Sequence, residues 1–172
     1  MRWLLIVPAV LIVLGGLIFV VGLFRPRGHA ARTQGRFASP PDSVWAVLSD
    51  YEHWPEWQPG TKRVERLPDR DGKTTLITEG SWGEMPMQIE VSEPPRRLVT
   101  FLDGGVFRGR WSWLLEPTPE GGTTLTMTEE AEIDNPFFRA LMIFNDNYRT
   151  MLGMQAALGQ RLGESVAASK VE

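Results

Sequence analysis

Hydrophobic and polar positions fall into three regimes along the chain. Residues Trp3 to Phe24 form an uncharged apolar run of 22. As a helix this run would be about 33 Å long, which matches a bilayer hydrocarbon core of about 30 Å. From Thr61 to Ala131 the pattern becomes short β-compatible runs between turn residues. Six strands are predicted: Thr61–Leu67, Lys73–Gly80, Glu84–Ser92, Arg96–Leu102, Val106–Glu116 and Thr123–Ala131. Their short connections, such as Asp69-Arg70-Asp71-Gly72 and Ser81-Trp82-Gly83, favour an antiparallel meander. The third regime runs from Asp134 to Val166. Apolar residues recur there at Phe137, Leu141, Phe144, Tyr148, Leu152, Leu158, Leu162 and Val166, the stripe of one amphipathic helix about 45 Å long. Asp134 or Asn135 caps it, and Pro136 suits its first turn.

Between the first two regimes, Thr33–Ala38 reads as a first strand. A helix follows through Val44, Trp45, Val47 and Leu48, with Asp42 or Ser43 as its cap, and then an aromatic loop around Trp54 and Trp57. Within the strands, Met85, Met87, Ile89 and Val91 share one face. So do Phe107, Gly109, Trp111, Trp113 and Leu115, and also Leu125, Met127, Glu129 and Ala131. The opposite faces are largely polar, so one side of the sheet is solvated and the other curves around something apolar. The expected fold class is α+β: an antiparallel sheet of about seven strands wrapped around the C-terminal helix, plus one N-terminal transmembrane helix. Residues 1–24 are expected as the anchor, 25–32 as a linker and 33–168 as one ligand-binding domain.

Charge refines the first regime. Arg25, Arg27, Arg32 and Arg36 follow the apolar run and only Arg2 precedes it, so the positive-inside bias places the domain in the cytoplasm, on a single-pass cell-membrane anchor. A cleaved secretory signal is the competing reading; its apolar region would be about 7–15 residues, shorter than this run. A net charge of −3 with no basic cluster beyond the membrane flank argues against nucleic-acid binding. The absence of cysteine excludes disulfides and thiolate chemistry, and with His29 and His53 as the only histidines a His-based metal site or dyad is not expected.

The order of elements, with Ser43-Val44-Trp45-Ala46-Val47-Leu48-Ser49-Asp50 followed by Trp54-Pro55-Glu56-Trp57, then Gly109-Arg110-Trp111-Ser112-Trp113 and Asn135-Pro136-Phe137, resembles the START-like or SRPBCC superfamily, including its polyketide cyclase/dehydrase members. The resemblance covers about Arg32 to Val166 and implies a helix-grip fold with a cavity for apolar ligands between sheet and helix. Candidate ligand-binding residues are Met85, Met87, Phe107, Trp111, Trp113, Met127, Glu129, Tyr148 and Met151. Met adapts to irregular apolar shapes and Trp adds a single N–H donor. Alternation turns Glu129 inward, where a bare charge is costly to bury; it suits binding a ligand hydroxyl, acting as an acid, or pairing with an arginine at a strand end. No catalytic residue, metal or cofactor is assigned, because Glu79, Glu84, Glu129 and Glu130 are spaced without a His or Cys partner. The expected partners are a hydrophobic small molecule or lipid and the membrane through residues 3–24. A cyclase-like enzyme and a non-catalytic membrane partner-binding protein remain the alternatives, and neither the ligand nor any protein partner is specified.

Overall fold

A computed structural model describes residues 3–81, 83–105, 107–142 and 146–171. Helix α1 spans Trp3–Leu23 and is followed by β1 (Gly28–Phe37), α2 (Pro41–Ser49) and a 3-10 turn (Tyr51–Glu56). The meander is β2 (Arg63–Arg70), β3 (Lys73–Gly80), β4 (Gly83–Glu93), β5 (Arg97–Asp103), β6 (Arg108–Pro117) and β7 (Thr123–Glu132). Helices α3 (Pro136–Leu141) and α4 (Asn147–Arg161) and the short strand β8 (Ala168–Lys170) complete the chain.

All eight strands form one antiparallel sheet in the order β2-β3-β4-β5-β6-β7-β1-β8. The eighth strand, beyond the seven expected, is three residues that pair with Thr33–Gly35. Strand β1 starts at Gly28, inside the stretch expected as a linker, and pairs with β7 over its whole length, from Gly28 opposite Glu132 to Phe37 opposite Thr123. The β2–β3 turn uses Asp71 (φ 53°) and Gly72 (φ 72°), the left-handed pair that a tight hairpin turn requires.

The C-terminal stripe divides into two helices. The expected single helix through Val166 is therefore corrected, and Phe144, on that stripe, lies outside the described residues, as do Trp82 and Val106. Asn135 caps α3 by accepting from the Phe137 amide, and Asp146 opens α4 by accepting from the Arg149 amide. A new cap in mid-stripe starts a second helix, because an Asp side chain that satisfies free amides competes with continuing the first one. Gly163 (φ 78°) ends α4: its amide donates to the Gln160 carbonyl at 3.1 Å, and the Glu164 amide donates to Gly159 at 2.9 Å. That pair of bonds is the Schellman ending, which favours glycine at the left-handed position. Helix α2 also departs from expectation. Pro40 takes the cap position without a side-chain bond, since Pro41, with its φ already helical, starts the helix ahead of Asp42 and Ser43.

The core lies between the concave sheet and the helices. Leu98, Leu115, Leu125 and Met127 from the strands meet Val44 and Leu48 of α2 and Met151 and Leu158 of α4, all at 2% exposure or less. Met151, Gln155 and Leu158, at i, i+4 and i+7, are the face of α4 on the sheet, whereas Phe137 and Leu141 of the expected stripe are exposed. At the other end of the chain, Ile6–Leu23 is long and apolar enough to cross a membrane, as an anchor or as a signal sequence. The end of α1 meets α3, where a Cβ added at Gly22 would collide with the Pro136 carbonyl oxygen.

Candidate functional site

A cavity of about 690 Å³ opens between the sheet and the helices. Its floor comes from inward positions of four strands: Met85 and Met87 of β4, Thr100 and Leu102 of β5, Trp111 and Trp113 of β6, and Glu129 of β7. Phe107 and Ile133 extend it, and Thr150, Gly153 and Met154 of α4 form its roof. The loop Gln58–Thr61 is one wall, and Phe138, Met142 and Arg149 stand at the other side.

Cross-strand register sets the floor. Thr100 lies opposite Trp111, Trp111 opposite Glu129 and Glu129 opposite Ala31, so a hydroxyl, an indole and a carboxylate stand in one row. Aromatic contacts stiffen this region: Trp111 stacks on Trp113 at 6.2 Å, and Trp54 leans on Trp113 at the same centroid distance. Trp54 is 3% exposed and donates from Nε1 to the Leu48 carbonyl at 3.0 Å, which ties the aromatic loop to α2. Beside it, burial pushes the Tyr51 hydroxyl above its ordinary value, partly offset by its hydrogen bond with Ser92.

Six of the nine expected residues, Met85, Met87, Phe107, Trp111, Trp113 and Glu129, line this cavity. Three are elsewhere. Met127 (1% exposed) and Met151 (0%) pack against each other's elements in the filled core, and Tyr148 turns toward the sheet edge with the Lys170 ammonium 4.3 Å from its ring centre. Gly109, on the same strand face as Trp111, is also closed off, since an added Cβ would meet Ala131 and the Glu130 carbonyl at 3.0 Å.

Glu129 is 4% exposed, and its Oε1 lies 3.6 Å from His29 Nε2. Sequence spacing alone gives this carboxylate no histidine, because His29 falls in the stretch expected as a linker. Pairing β1 from Gly28 onward brings His29 to the same concave face, one row from Glu129. Thr100 Oγ1 is fully buried with no hydrogen-bond partner among the described residues. It was recoverable from the alternation Leu98, Thr100, Leu102 along β5. The roof residues Gly153 and Met154 lie off the predicted stripe, which runs through Leu152, one flank away from the face α4 presents.

The convex side carries a different recess, about 580 Å³, among Arg32, Arg96, Arg97, Glu93 and Glu116. Nearby, Arg110 forms a bidentate pair with Glu90 at 2.7 and 3.0 Å, whose hydrogen bonding holds the guanidinium pKa above its ordinary value, and Arg108 pairs with Glu132 and Asp134. That face is an exposed charged surface, as the strand alternation predicts.

Among solved structures, this chain is similar to the Zhui aromatase/cyclase from Streptomyces sp. R1128, at 17% identity over 77% of this chain and 93% of that one, with a TM-score of 0.66. It is similar to a START superfamily protein from Mycobacterium smegmatis at 17% identity, covering 80% and 98%, with a TM-score of 0.62. Truncated norcoclaurine synthase from Thalictrum flavum aligns at 14% identity, covering 78% and 93%, with a TM-score of 0.64. At such identities the likeness is one of fold. No curated protein matches. The family model described as polyketide cyclase / dehydrase and lipid transport matches residues 29–163, and the chain therefore belongs to that family, with a START-like fold.

Proposed function

We propose that the domain binds a hydrophobic small molecule or lipid between sheet and α4, and that α1 anchors it to the membrane with the domain on the cytoplasmic side. The observation that carries the reading is the cavity of about 690 Å³ floored by Met and Trp side chains. Its volume falls within the roughly 300–1,000 Å³ of ligand pockets, and its apolar lining with a few polar groups is the usual composition of such sites. The test fills the space from the roof. Gly153 lines the cavity, and a Cβ there would meet nothing within 4 Å, so Gly153→Leu starts its side chain into open space. Uptake of a fluorescent fatty acid by the full chain in nanodiscs should fall at least tenfold in Gly153→Leu with no loss of melting temperature, since about 1.4 kcal/mol corresponds to a factor of ten. No uptake by the parent chain would overturn the reading. Topology is tested separately: a reporter after Glu172 should be active only as a cytoplasmic one.

A second reading, a cyclase/dehydrase-like enzyme, is favoured by Glu129 on the cavity floor with the His29 imidazole 3.6 Å behind it. A buried carboxylate beside an imidazole suits proton transfer to or from a bound substrate. If this holds, Glu129→Gln should abolish turnover of a poly-β-ketone substrate while leaving ligand uptake intact. Equal turnover by parent and variant would remove Glu129 from any such role.

A further inference from the structure

The short helix α3 stands between the apolar N-terminal helix and the cavity mouth. Its first residue touches the last turn of α1 backbone to backbone, at Gly22 and Pro136. Two further bonds fix the junction. Arg139, buried on the inner side of α3, donates from Nη1 to the Arg25 carbonyl at 3.0 Å, and the Ile133 amide donates to the Arg27 carbonyl at 2.9 Å. Helix α1 has 21 residues, about 31 Å in length, so when it fills a hydrocarbon layer of about 30 Å, Gly22 and the helix docked on it sit at the layer's boundary.

The outer side of α3 is apolar. Phe137, Phe138 and Leu141 are 36%, 38% and 42% exposed, while the residues turned inward are Arg139 and Ala140. A helix resting on a soluble domain shows the opposite arrangement, with apolar residues inward and charge outward. Contiguous exposed apolar side chains mark a contact surface, and here the neighbouring element is the candidate membrane span, with Phe24 at 86% exposure and Arg25 and Arg27 beside it. Phe138 and Met142 also line the cavity, so this surface and the cavity mouth are one place.

We propose that α3 lies in the membrane–water boundary with Phe137, Phe138 and Leu141 among the lipid acyl chains, so that the cavity opens onto the lipid surface. The inference rests on the anchored-binder reading and adds the route by which ligand enters. Arg25 and Arg27 then face the phosphate layer, where cationic side chains are favoured.

The chain contains no cysteine, so single-cysteine variants give unambiguous labels. Phe137→Cys, Leu141→Cys, Val13→Cys in mid-α1 and Glu120→Cys in the β6–β7 loop are each labelled with an environment-sensitive fluorophore in full chain reconstituted into phosphatidylcholine/phosphatidylglycerol vesicles. Lipids bearing a nitroxide high on the acyl chain should quench labels at 137 and 141 several-fold more than the label at 120, and a deep nitroxide should quench the label at 13. Labels at 137 and 141 quenched by aqueous iodide as readily as the one at 120 would overturn the proposal. So would blue-shifted emission without lipid quenching, which would place a second copy or another protein on α3. Quenching at 13 without quenching at 137 and 141 sinks this inference alone; no lipid quenching at 13 sinks the anchor and this inference with it.

Discussion

The two ends of the interface between α4 and the sheet use the same strands and the same inward face, yet one is filled and the other open. At the filled end, Leu115, Leu125 and Met127 meet Met151 and Leu158, all at 1% exposure or less. At the open end, the inward residues of β4 to β7 look across the cavity to Thr150, Gly153 and Met154. The difference comes from the helix. α4 begins at Asn147, and its flank over the cavity carries a residue with no side chain, so the strands there lose the knobs that fill their counterparts. Buried apolar packing is concentrated at one end, and the other is left open.

The largest effect should separate the ends directly. Met151→Ala removes a fully buried side chain and should cost about 2–5 kcal/mol in chemical denaturation, because the surrounding core collapses only partly into the void. Met85→Ala, at a half-buried cavity-lining position, should cost well under about 2 kcal/mol, since its removal enlarges a space already open. Equal costs would mean that the open end is core.

A smaller effect sharpens what the filled end contains. Gln155 Nε2 donates to Thr33 Oγ1 at 2.9 Å with both residues at 0% exposure, and Gln155 Oε1 has no partner among the described residues. Gln155→Leu alone should cost about 1–3 kcal/mol by leaving the Thr33 hydroxyl unpaired, whereas Gln155→Leu with Thr33→Val should recover most of it. A double-mutant cycle from urea melts measures the coupling, and additive costs would show that the bond adds nothing.

Two glycines give the next contrast. Gly153→Ala should stabilise the domain by about 0.5–1 kcal/mol, because a helix-interior glycine is disfavoured and its Cβ meets open space. Gly109→Ala should lower the melting temperature, since its Cβ presses on Ala131 and the Glu130 carbonyl at 3.0 Å. Destabilisation by both would mean that the roof is closed.

Much of this division was legible in the sequence, and where it was not the reason is physical. Period-two alternation reads β4, β6 and β7 well because each buries one face only, which also turns Met85, Trp111 and Glu129 inward; β5 buries Leu98, Val99 and Thr100 in succession, so alternation says less there. Apolar spacing overextends the C-terminal helix because it continues through Leu162 and Val166, although Asp146 and Gly163 carry the cap and stop chemistry. The His29–Glu129 approach required knowing that β1 pairs with β7 from Gly28, a contact between residues 100 positions apart that no local pattern encodes. The cavity itself depends on how α4 is rotated, and Gly153 showed that only once the buried face was seen to be Met151, Gln155 and Leu158.

The smallest effect concerns the latch at the filled end. Glu164, just past α4, accepts from the backbone amides of Ala38 and Ser39 and so ties the helix terminus to the end of β1. Burial pushes its carboxyl up, but the hydrogen bonds from the Ser39 side chain and from these amides outweigh it, so the pKa lies below the ordinary value of 4.5. A depressed folded-state value means that the folded chain binds fewer protons at this group than the unfolded chain does. Its stabilisation is therefore present above the unfolded value and is lost as pH falls through the folded one. Urea melts of the parent and Glu164→Gln should differ most near neutral pH and converge as the solution is acidified below about pH 4, with a gap smaller than that of any preceding variant because the group is partly exposed. A pH-independent gap would show that Glu164 acts by packing rather than by its charge.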